Sequence, residues 1–242
     1  MSQVFLTPRV AIECIDEALV LTRRTFWPLL RVGLIPYLLH AVASLLNGGQ
    51  PFARLVFQII AYGLYGLMEA ATVTGAWDVL HGKPIQMGVI WGRVGHRFFS
   101  VLIGAWLRIL LIFVGMLLII VPGFYVMAIS FAVPFVNVTE DLGVGDSLSR
   151  SRSLAMGSVW GILVSLVGFW VIIAAVAIAI PRLLVQLGVA PFSVIQTAST
   201  LVWGALVIPF RAALAARVYL EIRIRKEGYD LQQAMASLPN AA

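Results

Sequence analysis

The chain is 242 residues long; 61% are hydrophobic, 12% are charged, and mean hydropathy is +0.97. A soluble domain carries about 25% charged residues, so this composition excludes a disordered chain and a domain that covers its core with polar surface in water. Cys14 is the one cysteine, which excludes an internal disulfide framework.

The formal charge is +6, from 17 Lys+Arg and 11 Asp+Glu. The cations lie between apolar runs, so anionic lipid headgroups are their expected counterpart and nucleic acid is not. Glu13, Asp16 and Glu17 interrupt the place where a secretion signal has its apolar core, and no cleavage is expected. Residues 10–24 predict a short interfacial helix instead. Ile12, Ile15, Ala18 and Leu19 recur at helical spacing, opposite Glu13, Asp16, Glu17 and Arg24.

A helix needs about 20 apolar residues to cross roughly 30 Å of hydrocarbon. The runs 26–46, 55–77, 98–121, 158–180 and 197–219 meet this. A sixth, 124–138, is shorter, contains Pro134 and follows Pro122-Gly123, read as the turn of a tight hairpin. Residues 98–138 make about 61 Å of helix, enough for two crossings; one crossing plus a re-entrant piece is the competing reading. Further interfacial helices are predicted at 84–97 and 146–156. In the first, Met87, Ile90, Trp91 and Val94 oppose Gln86, Arg93 and Arg97. In the second, Asp146 is the N-cap candidate, and Leu148 and Ala155 oppose Arg150 and Arg152. The fold class is all-α integral membrane: one transmembrane domain over 1–242, six transmembrane helices and amphipathic interfacial helices on the cytoplasmic side.

Charge sets the orientation. Arg9, Arg23, Arg24, Lys83, Arg93, Arg97, Arg150, Arg152, Arg217, Arg223, Arg225 and Lys226 fall on one side, against Arg54 and Arg182 on the other. With six crossings both termini are cytoplasmic. Trp27, Trp77, Trp91 and Trp160 fall near the inner ends of spans. An aromatic holds the same place in three similar segments leading into hairpins, at Trp27, Phe99 and Trp160. These segments read as three copies of interfacial helix plus hairpin; a shared need for aromatic anchors is the competing account. Gly157, Gly161 and Ser165, and likewise Gly66, Ala70 and Thr74, have the spacing of small-residue helix contacts.

Three charges lie deep in the runs. Glu69 and Arg108 sit at matching depths, about 8 and 10 residues from the inner ends of their helices at 1.5 Å per residue. A lone charge there is costly, so a Glu69–Arg108 contact is predicted, with Arg211 as the competing partner. Arg31 is shallower and reaches the interface. The triad reads either as a pair fixing helix register or as a polar path for a substrate or proton.

No metal-ligand spacing joins His40, His81 and His96, and no cofactor is expected. Gly143-Val144-Gly145-Asp146-Ser147 lacks the lysine of a phosphate loop. Ser147, Ser149, Ser151 and Ser153 read as a solvated helix start, and Glu140-Asp141 as capping and solvated residues.

The second half has a further pattern. It runs Val121-Pro122-Gly123, Val133-Pro134, Glu140, Asp146-Ser147-Leu148-Ser149-Arg150-Ser151 and Gly157-Ser158-Val159-Trp160. It closes on Arg223-Ile224-Arg225-Lys226-Glu227-Gly228-Tyr229-Asp230-Leu231. Over 85–233 this resembles the membrane domain of membrane-anchored glycerophosphodiester phosphodiesterases and of related stand-alone bacterial inner-membrane proteins. The resemblance implies an inner-membrane module that accompanies other activities. The phosphodiesterase chemistry of that family sits in a separate soluble barrel, too large for this chain. His96-Arg97 lacks the glycine and acidic residues of that barrel's site.

The expected function is a non-enzymatic membrane scaffold or accessory module. It would bind anionic-leaflet lipid or a partner protein, or pair with a second copy. Its expected surface is Arg93, Arg97, Arg150, Arg152, Arg223, Arg225 and Lys226. The alternative is a small transporter or channel with a polar site around Glu69, Arg108 and Arg211. A membrane-embedded lipid enzyme needs a cluster of catalytic groups that the sequence does not assemble.

Overall fold

A computed structural model describes residues 11–45, 51–118, 120–188 and 192–229. Among these the regular structure is entirely helical: α1 (Ala11–Leu45), α2 (Pro51–Leu80), α3 (Met87–His96), α4 (Phe98–Leu118), α5 (Ile120–Ile129), α6 (Val133–Thr139), α7 (Val144–Ala155), α8 (Val159–Gln186) and α9 (Phe192–Glu227). Four segments of the described residues are long and apolar enough to cross a membrane: Leu55–Leu80, Phe98–Leu118, Val121–Thr139 and Val159–Gln186. They carry four of the six expected runs. The runs 26–46 and 197–219 lie within α1 and α9, except that residue 46 is outside the described residues.

Three local differences from the sequence reading have physical causes. The segment 10–24 is not a separate interfacial helix: from Ala11 it continues unbroken into the following run, through Pro28 and Pro36. One buried stripe runs through the first proline, over Cys14, Ala18, Leu21, Thr25, Leu29 and Val32. That packing continues past a position that lacks a backbone donor. Leu19, assigned to the apolar face, is 44% exposed, so the stripe is turned from the one expected.

Pro122-Gly123 is not the hairpin turn but belongs to the first turn of α5. Proline is tolerated there because that N–H has no intrahelical acceptor. The two helices meet so closely that a Cβ on Gly115 would lie 3.0 Å from the Gly123 Cα. The expected run 124–138 breaks at residues 130–132 into α5 and α6, with Pro134 near the start of α6.

Asp146 is not an N-cap. Gly143 takes that position, with no side-chain cap bond, and Asp146 lies inside the first turn of α7. The interfacial helices predicted at 84–97 and 146–156 correspond to α3 and α7. Ile90 and Val94 of α3 are buried, while Met87 is 40% exposed.

α1 packs against α2 and α9, α4 against α2 and α5, and α8 against α9. α2 and the α5–α6 segment are the inner elements, 56% and 61% buried over their apolar cores, against 22% for α4 and 17% for α8. In lipid, contact between apolar helices is favoured by van der Waals packing, so small residues set where backbones approach. Gly66 lies directly against Ala105, with no room for a Cβ, and Ala70 and Thr74 are fully buried. The other small-residue set behaves differently. Gly157 takes φ 84° in the α7–α8 turn, and a Cβ on Gly161 would meet nothing within 4 Å.

Candidate functional site

The three charges that lie deep in the apolar runs converge on one carboxylate. Arg108 Nη1 of α4 donates to Glu69 Oε2 of α2 at 2.9 Å, and Arg211 Nη1 of α9 lies 3.2 Å from Glu69 Oε1. Arg211 is therefore a second partner, not a competitor. Its guanidinium also stands 4.6 Å from the centre of the Tyr65 ring, a cation–π contact that shares the charge with an apolar wall. The side chains of Glu69, Arg108 and Arg211 are 10%, 17% and 11% exposed. Ala70, Ala71 and Thr72 beside Glu69 are fully buried. Both carboxylate oxygens are engaged, so the triad ties α2, α4 and α9 together at one depth. Arg31 is exposed.

A second polar cluster lies where α6, α7 and α9 meet, and Glu140 is its hub. Arg150 Nε and Nη2 donate to the two Glu140 oxygens at 2.8 and 3.2 Å, a bidentate fork. The Tyr219 hydroxyl donates to Glu140 Oε1. Arg150 also pairs with Glu227, whose Oε2 accepts from Arg223 Nε at 2.9 Å. Arg223 Nη1 stands 3.8 Å from Glu140. Two carboxylates and two guanidiniums thus neutralise one another. Burial pushes the Glu227 carboxyl up, but Arg150 and Arg223 outweigh it and hold it below the usual carboxylate range. Burial works against the Arg150 charge, and its hydrogen bonds to Glu227 and Glu140 more than offset this, so its net shift is upward.

Aromatic rings wall this cluster. Trp77 packs edge-on against Phe135 and Tyr219, with centroids 5.5 and 5.2 Å away. It also lies 4.2 Å from the His81 ring. His81 Nε2 is 2.9 Å from the Tyr229 hydroxyl and Nδ1 is 2.8 Å from the Trp77 carbonyl. A carbonyl only accepts, so Nδ1 carries the proton and Nε2 accepts from the tyrosine. Burial lowers the His81 pKa, with Lys83 and Arg223 adding to it against the Trp77 hydrogen bond. Arg223 covers the Tyr229 ring at 4.1 Å. The Gly228-Tyr229 end is thereby docked on α2. Trp77, read from sequence as an interfacial anchor, is a wall of this cluster.

The serines read as solvated are divided by burial. Ser147 and Ser151 are fully buried, whereas Ser149 and Ser153 are exposed. Ser151 Oγ donates to the Ile129 carbonyl at 2.8 Å and accepts from the Ala132 N–H at 3.3 Å, which satisfies backbone groups freed where α5 breaks. Ser147 donates to the buried Asn137, whose side chain also meets Ser100. Glu140 and Asp141 are likewise engaged, Asp141 with Arg97, which also donates to the Asp141 carbonyl at 2.6 Å. The hydrogen bond from Arg97 holds the Asp141 carboxyl below its usual range.

The seven cations assigned to a lipid or partner surface separate accordingly. Arg93 pairs with Asp78, Arg97 with Asp141, Arg150 and Arg223 with the Glu140–Glu227 cluster, and Arg225 with Glu221 one helical turn away. Lys226 is exposed and donates to the Ser153 carbonyl at 2.6 Å. Arg152 is exposed, with no ion-pair partner among the described residues. Sequence reasoning missed Tyr219, Glu227, Asp78, His81 and Tyr229. Their signal was polar residues recurring at or just past the ends of apolar runs. Among the described residues no group of three or more His, Cys, Asp or Glu side chains could hold a metal ion. No family model, no curated protein and no solved structure matches the chain.

Proposed function

We propose that the chain is a non-enzymatic, multi-pass protein of the bacterial inner membrane that acts as an accessory or scaffold module and binds anionic lipid. It crosses six times, as three hairpins threaded from the cytoplasmic side, with both termini in the cytoplasm. It is the kind of membrane domain that accompanies glycerophosphodiester phosphodiesterases. A partner protein or a second copy would dock on the same cation-rich face.

One observation carries this reading: the acids of the Glu140 cluster are spent on its arginines, while Arg152 and Lys226 stay exposed beside it. Trp27 and Phe99, at the starts of their apolar runs, are 67% and 74% accessible. Such a face suits headgroups, each Lys or Arg near an anionic surface contributing about 1 kcal/mol. The Glu69 triad serves as a register lock, because each of its carboxylate oxygens is engaged by a guanidinium from a different helix.

The test is extraction from native membrane directly into lipid nanodiscs, followed by mass spectrometry of the retained lipids and proteins. Anionic phospholipid enriched over the bulk membrane is the expected result. A retained lipid set identical to the bulk would overturn the reading.

A further inference from the structure

Between α5 and α8 the packing opens into a cleft of about 610 Å³, within the roughly 300–1,000 Å³ of ligand pockets. Val121 and Phe124 form one wall; Leu163, Val164 and Val167 form the other. Both walls belong to segments long and apolar enough to cross a membrane, so an occupant must match hydrocarbon. Gly168 leaves the cleft open, since a Cβ there would meet nothing within 4 Å.

The cleft itself is apolar, and its α8 wall begins close in sequence to a helix end where two cations stand. Trp160, 79% exposed, lines the cleft in the first turn of α8. Only three residues separate α7 from α8, and the last turn of α7 carries the exposed Arg152. The Lys226 ammonium is fixed in the same place by the Ser153 carbonyl. Two cations therefore stand at the end of α7 that leads into the α8 wall, while the neighbouring Arg150 and Arg223 are already neutralised by Glu140 and Glu227. An apolar slot whose α8 wall starts at an indole, just after a helix end that carries two cations, suits a phospholipid: hydrocarbon along its length, anion towards α7.

We infer that the α5–α8 cleft holds one acyl chain of an anionic phospholipid whose phosphate is held by Arg152 and Lys226. This rests on the lipid-binding reading above and gives it a site.

The test uses the full chain in nanodiscs of phosphatidylcholine containing a minor share of phosphatidylglycerol with a photoreactive diazirine on one acyl chain. Crosslinks are expected on Leu163, Val164 or Val167, competed by unlabelled phosphatidylglycerol and not by phosphatidylcholine. Arg152→Gln and Lys226→Gln should each reduce the crosslink about fivefold, the factor for one headgroup cation. Gly168→Phe, which fills the cleft from a position with open space, should abolish it; an unchanged helical circular-dichroism signal and melting profile confirm the fold. Crosslinks spread evenly over the lipid-facing helices, or unchanged by Gly168→Phe, overturn the site while leaving anionic-lipid enrichment standing. Dimer particles that Gly168→Phe converts to monomers assign the cleft to a second copy and overturn it too. A wild-type protein without any preference for phosphatidylglycerol overturns both the site and the reading beneath it.

Discussion

Glu69 shows how a single residue organises a structure in lipid. Two guanidiniums depend on its carboxylate, and removing one partner of a buried ion pair costs about 3–5 kcal/mol. Glu69→Gln should therefore lower the melting temperature in detergent well below that of Arg108→Gln, which leaves the Arg211 pair intact. Equal melting of the two variants would show that the triad does not act as a unit. His81 gives a pH-dependent prediction. Its folded pKa lies below the ordinary 6.5, so the unfolded chain takes up the proton first. Its contribution to stability is complete above about pH 6.5 and declines as pH falls through that value. Melting should occur at lower temperature at about pH 5.5 than at about pH 8, and His81→Phe should shrink that difference. The Glu69–Arg108 pairing was legible in the sequence because both residues are rare charges at matched depth. The role of His81 was not, because its partner Tyr229 is 148 residues away.

Among the elements, the broken hairpin α4–α5–α6 is the most informative. The break at 130–132 leaves backbone groups without helical partners, and Ser151 of α7 supplies both a donor and an acceptor. Ser151→Ala strands them at a cost of about 1–3 kcal/mol. Denaturant titration should register it, whereas Ser149→Ala, at an exposed position, should be near neutral. The two small-residue stripes give a matched pair of expectations. Gly66→Ala forces α2 from α4, since its Cβ collides with Ala105, and overpacking costs about 1–3 kcal/mol. Gly161→Ala meets open space and should be neutral or stabilising by up to about 1 kcal/mol. The spacing of small residues is the same in both stripes. What separates the two glycines is that Gly66 lies against a neighbouring helix and Gly161 does not, although Ser165 of the second stripe is buried.

For the whole molecule, the proposed six crossings predict the sidedness of every loop. In a Cys14→Ser background, Lys83→Cys and Arg225→Cys should be labelled by a membrane-impermeant thiol reagent from the cytoplasmic side of oriented vesicles. Leu187→Cys should be labelled from the other side. Labels on Lys83→Cys and Arg225→Cys from opposite sides would require an odd number of crossings between them. Apolar runs, their lengths and the one-sided distribution of arginine were readable from the chain itself. Lipid burial rewards local composition, and a helix satisfies its own backbone bonds without reference to any neighbour. Tertiary structure alone decided which arginines are spent inside the fold, which serines are buried and where helices part to leave a cleft. These outcomes depend on how each helix is rotated against the next. That rotation follows from close contacts such as Gly66 on Ala105 and from ion pairs such as Glu140 with Arg150, made between residues far apart in sequence.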